Sequence, residues 1–596
     1  MDANCDIDAS ALSAVDRVFT AFQTRDEAPG MTYGVVANGR VAHTGSVGGA
    51  VVGGPLMHDR SVLRIASMTK SFTAAMVLLL RDEGLLRLDD PVSDHVPELR
   101  GMNLPTADSP TPTLRMLLTM SGGLPTDDPW ADREESMIPA AFSAFLSGGL
   151  SLSTAPGTGF QYANLGYVIA GRAIANVVGE PYHEVVRRRL LEPLGMTSTG
   201  FDIDDVAAAD LVGGHHKLDG EWIAEPFAER GEFSPLGGIF SSVADLAIWL
   251  GGFTDAFPAR DSPNDGHPLC RASRREMQQL HRFNDVTVPL QRATTAVVRA
   301  RAVGYGFGLA VLHDTRWGQI VGHSGGYPGY GSNMRWHPTS GIGVIALGNG
   351  RYTPAAEPAA EALEILLGAV AAPSRRVVAW PRTLAMQRDV HGLIERWDDT
   401  VADAIFSANV DADLARARRR ADLDAVRAQL GTFGGIEPGS TSCDNASDIE
   451  WDVVGENGRI HVDIQLTPHW TPLVQTIGIE FIGAVSDALT AAVTAAANEI
   501  AAGGAPTVRC TAWRSEHDAT FSIRLGVDEW KAAIVADAET GEITSITVTP
   551  TPPSSHRFDL TDLTDLTDLT DLTDLTDLTD LTDLTDIVER TGRRLR

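Results

Sequence analysis

Ser67-Met68-Thr69-Lys70 sets a hydroxyl and an amine three residues apart at the head of an apolar run. On a helix that spacing brings both groups to one face, within reach of a hydrogen bond. The helix N-terminus favours an anion forming beside it. A serine hydroxyl becomes a useful nucleophile only with a neighbouring base. A lysine is that base only when burial or a nearby positive group lowers its pKa. The chain has just three lysines, Lys70, Lys217 and Lys531, so each is informative. Alone, S-x-x-K also fits an exposed lysine one turn after an N-cap serine. A second serine competes with the first, because Gly322-His323-Ser324-Gly325-Gly326 matches G-x-S-x-G, the nucleophile elbow of α/β-hydrolases. That elbow needs a helix straight after the serine. Tyr327-Pro328-Gly329-Tyr330-Gly331 cannot start one. Other candidates read as bland. His215-His216 lacks the partners of a zinc site, Asp127-Asp128 and Trp130 read as a solvated turn, and Trp451 and Trp470 read as core.

The elements that must position these residues follow from periodicity. Residues 8–24 read as an amphipathic helix, and Met31–Ala37 with Arg40–Val47 as a hairpin around Asn38-Gly39. Ser67–Leu85 reads as a helix with apolar Phe72, Met76, Leu79 and Leu80, ended near Gly84. Gly304–Leu312, Gly318–His323, Ser332–Trp336 and Gly341–Leu347 read as strands, and Glu357–Val370 as a closing helix. Helices therefore lie at both ends of a mainly antiparallel sheet, with a long helical and loop-rich insertion between. Pro373 and Pro381 bracket a linker, 373–383. Beyond it, 384–552 reads as a second α+β domain: helices over 384–430, a hairpin at Asp448–Leu466, a helix at Ser486–Ala502, then strands Phe521–Leu525, Ala532–Ala536 and Ile543–Thr549. In the tail, 553–596, Asp-Leu-Thr repeats nine times. A three-residue period keeps no apolar helical face, so the tail reads as disordered and acidic.

Apolar residues make up 43% of the 596 and charged residues 21%, a composition with cores to bury. The net charge of −30 argues against nucleic acid as a partner, since phosphate contacts need clustered Lys and Arg. The four cysteines are too scattered for a disulfide framework or a CxxC metal site. No stretch approaches the ~18 consecutive apolar residues of a membrane helix. Met1–Asp6 is acidic and carries no apolar run. The expectation is a cytoplasmic protein without membrane insertion, its oligomeric state left open.

Company changes the weight of S-x-x-K. Tyr162-Ala163-Asn164 follows it along the chain, then His323-Ser324-Gly325-Gly326 on a strand. This order resembles the serine β-lactamase family, on the class C branch with the DD-carboxypeptidases, esterases and D-aminopeptidases of the same fold. Arg64-Ile65-Ala66, Leu88-Asp89-Asp90-Pro91-Val92, Leu194-Gly195-Met196 and Gly237-Gly238-Ile239-Phe240-Ser241 agree with it, and the likeness runs from about residue 10 to 372. It implies an α/β fold of α+β type, a β-lactamase/transpeptidase-like antiparallel sheet flanked by helices beside a helical subdomain, over 1–372. It implies that Ser67 is acylated and that Lys70 and Tyr162 share the base role. It also implies that Asn164 bonds Lys70 or the substrate amide, and that the backbone N–H groups of Ser67 and Gly326 hold the oxyanion. Ser324 and Gly325 then belong to the substrate-binding strand, and neither metal nor organic cofactor is required. The family's Lys-Thr-Gly is here His323-Ser324-Gly325, and a histidine is only partly charged near neutral pH. This ranks hydrolysis of a small ester or D-amino-acid amide or peptide first, and DD-carboxypeptidase or β-lactamase second. An inactive binding or assembly protein on the same fold is the alternative of another class. Retention of Ser67, Lys70, Tyr162 and Asn164 together argues against it.

Overall fold

Eight strands form the sheet that carries the site. They are β1 (Gly30–Ala37), β2 (Arg40–Gly48), β3 (Arg282–Thr287), β4 (Arg301–Tyr305), β5 (Ala310–Asp314), β6 (Gly318–Tyr327), β7 (Tyr330–His337) and β8 (Ile342–Gly348). The computed structural model describes residues 7–263, 266–287, 301–372, 377–501, 506–515, 518–525, 528–536 and 543–551. The expected tail, 553–596, and residues 373–376 of the expected linker lie outside these. The strand order is β2-β1-β8-β7-β6-β5-β4-β3, antiparallel throughout. Asn38 and Gly39 take positive φ of 50° and 73°, as a two-residue type I′ hairpin requires. Met31 sits opposite Gly348, so the N-terminal hairpin joins the last strand of the sheet.

Side chains alternate across the sheet, and each face gathers its own core. Ile342, Val344 and Ala346 join Met31, Tyr33 and Val35 on one face, whereas Ile345, Leu347 and Val36 go to the other. Five helices flank the sheet: α1 (Ala9–Gln23), α2 (Thr69–Asp82), α3 (Asn164–Val178), α4 (Val243–Asp255) and α5 (Ala356–Ala369). α1 and α5 cover the first face through Val15, Phe19, Leu363 and Leu366, and the other three share the second core. In α2 every residue from Thr69 to Leu80 is buried. It is a core helix, covered all round, rather than a surface helix with one apolar stripe.

The α+β architecture expected from sequence, an antiparallel sheet flanked by helices, is present. Three details differ. The α-helix starts at Thr69, and Ser67 lies in a 3₁₀ turn, Ala66–Met68, just ahead of it. Gly304–Leu312 is not one strand but the end of β4, a turn and the start of β5. Gly308 takes φ 68° there, and a Cβ on it would lie 2.4 Å from Lys70 O. Pro381 opens a helix, α6 (Pro381–Glu395), where its fixed φ suits the first turn.

Further along stand α7 (Arg416–Leu430), a sheet of β9 (Phe433–Ile436), β10 (Asp448–Gly455), β11 (Gly458–Leu466) and β12 (Val474–Gly483), then α8 (Asp487–Ala501) and a sheet of β13 (Thr507–Ser515), β14 (Asp518–Leu525), β15 (Asp528–Ala536) and β16 (Ile543–Thr551). Their cores centre on Trp451, Ile460 and Val462, and on Leu489, Phe521 and Ile534. Buried Asp452 is held by Arg459 (2.6 Å), His461 (2.8 Å) and Arg509, which joins β10 and β11 to β13. Trp470 corrects the expectation of a core residue. It is fully exposed, on the loop between β11 and β12.

Candidate active site

Lys70 Nζ donates to Ser67 Oγ at 2.9 Å and to Leu236 O at 3.0 Å. Lys70 is fully buried. Burial pushes its pKa down from 10.5 to about 8, while the nearby carboxylates of Asp132, Asp128 and Asp127 oppose that shift. Ala66, directly before the serine, takes φ 50°. That left-handed backbone is costly for a residue with a Cβ and is held here by its surroundings. Tyr162, on the extended segment leading into α3, is hydrogen-bonded with Ser67, and burial raises its phenol well above the usual pKa. Its ring centroid lies 5.2 Å from Lys70 Nζ. Serine, amine and phenol therefore converge. Burial thus favours the neutral amine at Lys70 and the protonated phenol at Tyr162.

The strand that carries the third motif passes the serine closely. β6 pairs with β5 only as far as Gly322 opposite Ala310. From His323 to Tyr327 it pairs with β7 alone, leaving its other edge open. A Cβ on Gly325 would lie 2.3 Å from Ile65 O and 2.9 Å from the Ala66 Cβ, so only glycine lets the strand approach the nucleophile turn. Ser332 Oγ on β7 ties the same turn by donating to Ile65 O at 2.7 Å. Gly326 sits against the Tyr352 ring, 2.7 Å from where its Cβ would be. An open strand edge beside a 3₁₀ turn is the setting in which backbone N–H groups can hold an oxyanion.

Ser324 is exposed in the middle of β6 and receives a hydrogen bond from Asn333 Nδ2 at 2.9 Å. It has no helix after it and is not on an elbow. His323 differs from the expectation of partial charge. Its Nδ1 donates to Ser324 O at 2.6 Å, so Nε2 is left as the acceptor for Tyr305 Oη at 2.7 Å. Burial and then the Lys70 charge push its pKa down to about 3, so the ring is neutral. Asn164 is also placed differently. It is fully buried, its Nδ2 donates to Asp128, and its Oδ1 has no hydrogen-bond partner.

Ser67, Tyr162, His323, Ser324 and Gly326 line one cavity of about 470 Å³. Gly325 and Asn164 are not among its lining residues. Sequence reasoning missed three of the residues that share it, Asp132, Tyr305 and Tyr352, while Asp128, read from sequence as part of a solvated turn, lines it as well. The Asp127–Trp130 loop is a correction, since only part of it is a solvated turn. The Asp127 carboxylate accepts from the backbone N–H groups of Asn164 (2.7 Å) and Leu165 (2.8 Å), capping α3 from a distant loop. Asp132 is 4% exposed, accepts from Tyr352 Oη at 3.1 Å, and is raised by burial to about 6. Trp130 packs beside Phe145 and Phe233, away from the cavity. The signal in sequence was three acids, Asp127, Asp128 and Asp132, within one Gly- and Pro-bounded loop. Among the described residues no group of three or more His, Cys, Asp or Glu is placed to hold a metal ion, and no helix is long and apolar enough to cross a membrane.

An antiparallel sheet between helical layers, with serine, lysine and tyrosine meeting at a 3₁₀ turn, is the plan of the serine β-lactamase and transpeptidase class. The family model described as Beta-lactamase matches residues 15–369, and the chain belongs to that family. It is 34% identical over 206 residues to "Beta-lactamase-like protein 2" of Dictyostelium discoideum, covering 33% of this chain and 36% of that protein. It thus spans about a third of that relative's length. It is 28% identical over 314 residues to "D-alanyl-D-alanine-carboxypeptidase/endopeptidase AmpH" of Escherichia coli K12, covering 48% of this chain and 70% of that one. In fold alone it resembles the structure described as an octameric penicillin-binding protein homologue from Pyrococcus abyssi. There the TM-score is 0.50 at 19% identity, over 88% of this chain and 96% of that one.

Proposed function

We propose that this chain is a serine hydrolase that works through an acyl-enzyme on Ser67, acting on a small ester or a D-amino-acid amide or peptide. The observation that carries the reading is the 2.9 Å contact between Ser67 Oγ and a fully buried Lys70 whose pKa is lowered to about 8. Neutral Lys70 takes the Ser67 proton as the hydroxyl attacks the carbonyl carbon. The backbone N–H groups of Ser67 and Gly326 receive the oxyanion. Tyr162, whose raised pKa keeps it protonated at rest, gives its proton to the leaving group as it takes one from the Lys70 ammonium. Water then attacks the ester of Ser67 as Lys70 takes its proton; the C–O bond to Ser67 breaks, Lys70 returns the proton to Ser67 Oγ, and the acid is released. Asn164 acts by orienting Asp128. His323, Ser324 and Gly325 form the wall along which the substrate lies.

A neutral His323 offers no charge to a substrate carboxylate, which supports an ester or amide over a peptide ending in a free carboxylate. DD-carboxypeptidase is the second reading, favoured by the name of the E. coli relative, a D-alanyl-D-alanine-carboxypeptidase/endopeptidase. We further propose that 384–552 is a domain of its own, a division supported by its separate cores. Side-by-side assay of a p-nitrophenyl ester, D-alanine p-nitroanilide and nitrocefin tests the reading, with Ser67→Ala as blank. Turnover of the first or second above that blank is expected. Turnover of nitrocefin alone would replace it with the β-lactamase reading, and turnover of none would refute it.

A further inference from the structure

A buried ion pair stands close to the nucleophile turn but outside the cavity. Arg64 and Glu135 are each 1% exposed, and neither lines the cavity. Arg64 Nη1 lies 3.7 Å from Glu135 Oε2. Burying two charges is a poor way to gain stability, because their desolvation offsets most of their attraction.

The two ends of the pair reach different parts of the site. Arg64 pairs with Phe240 in a two-residue strand and leads directly into Ile65, Ala66 and Ser67. Its guanidinium Cζ stands 4.4 Å from the Phe240 ring centroid and 4.6 Å from that of Tyr327, the residue straight after Gly326. Such stacking fixes the plane of an arginine against its rings. Glu135 Oε1 accepts from Ser234 Oγ at 2.6 Å. Ser234 opens the short helix Ser234–Gly237, and Leu236 O in that helix accepts from Lys70 Nζ at 3.0 Å. A Cβ on Gly238 would lie 2.5 Å from Glu135 Oε1, so the carboxylate is seated tightly against the end of the same helix. The pair is thus joined to the turn that carries Ser67, to the carbonyl that holds Lys70, and to the strand end that carries Gly326.

We propose that Arg64 and Glu135 are positioning residues that set the spacing of Ser67, Lys70 and Gly326. The inference rests on the serine hydrolase reading and adds to it two residues that touch neither the substrate nor the reacting atoms. It also accounts for the φ of 50° at Ala66, since a strained backbone persists only where its surroundings over-determine it. Loss of the pair lets the three groups drift apart, and a misplacement of about 1 Å costs about a hundredfold in rate.

The test uses the full chain and a neutral p-nitrophenyl ester. Removing one partner leaves a bare buried charge, so both are replaced together, as Arg64→Met with Glu135→Leu. Apolar side chains of similar volume in place of a buried ion pair often keep or raise stability. The double variant should melt close to wild type, with kcat and kcat/KM both down about a hundredfold and KM within about twofold, the pattern of a loss felt in the transition state alone. A purely structural pair would leave kcat intact wherever the melting temperature is kept. Should the double variant fail to fold, Arg64→Lys decides the matter, since it keeps the charge and loses the stacked plane. It should lose several-fold in kcat at unchanged KM. Wild-type kcat in whichever of these variants folds, or a loss carried by KM alone, overturns the inference while leaving the hydrolase reading intact. No turnover by the wild type itself, with no acyl group on Ser67, overturns both.

Discussion

If Lys70 is the base, the rate must follow its deprotonation. Burial lowers its pKa from 10.5 to about 8, a difference of roughly 3 kcal/mol in favour of the neutral amine. At pH 7 about one molecule in ten then carries neutral Lys70, against about one in three thousand for an ordinary lysine, so burial raises the competent fraction about 300-fold. For a neutral p-nitrophenyl ester, kcat/KM should climb close to tenfold per unit from about pH 6.5, bend near pH 8 and level off above it. Ser67→Ala supplies the blank for spontaneous hydrolysis at each pH. Asp132→Asn should move the bend to lower pH, because the Asp132 carboxylate raises the Lys70 pKa and the amide does not. A profile flat from about pH 6.5 to 9, a bend near the ordinary lysine value, or a shift upward in Asp132→Asn would refute Lys70 as the base.

Three further outcomes follow from particular contacts. Gly325→Ala must push β6 away from the nucleophile turn, since the added methyl would meet Ile65 O at 2.3 Å. The expected loss in kcat/KM is about a hundredfold, the scale of a 1 Å misplacement, with folding retained by circular dichroism. His323→Lys replaces a neutral ring with a charge, and the kcat/KM ratio of a carboxylate-bearing ester to its neutral counterpart should rise about tenfold or more. An unchanged ratio would remove the argument from His323 against carboxylate substrates. In the C-terminal region His461 has its pKa raised, first by its hydrogen bond to Asp452. Its stabilisation is therefore complete below the unfolded value of 6.5 and is lost as pH rises through the folded pKa. His461→Gln should lower the melting temperature more at about pH 5.5 than at about pH 8.5, and the reverse order would contradict the pairing.

The legible parts of this molecule are those where local chemistry and tertiary role coincide. Asn38-Gly39 announces its hairpin because few other pairs tolerate positive φ twice in succession. The strand–turn–strand from Gly318 to Trp336 is readable because Pro328-Gly329 cannot continue a helix. Ser67 and Lys70 stand out because lysine is so rare in this chain. Tyr305 and Asp132 were not legible. Tyr305 reaches the cavity only because Gly308 turns the chain back beneath Lys70, a tertiary fit with no periodic signature. Asp132 lies in a polar loop, where an acid is ordinarily solvated. The buried Arg64–Glu135 pair, 3.7 Å apart, and the Ser234 hydroxyl donated to Glu135 at 2.6 Å help fold that segment inward. The charge of His323 was out of reach for the same reason, since burial sets it and residue type does not. β12 is a different case. Ile477, Ile479 and Phe481 alternate plainly, but Gly478 interrupts the run, and the pairing with β11 reveals the strand.

The central claim is that Ser67, and not Ser324, carries the acyl group. The direct measurement is peptide mass spectrometry of the full chain after incubation with a fluorophosphonate, beside Ser67→Ala and Ser324→Ala. The adduct should lie on the peptide holding Ser67 in the wild type and in Ser324→Ala, with no adduct in Ser67→Ala. An adduct on Ser324, or a Ser67 left unmodified while the ester is turned over, would contradict it.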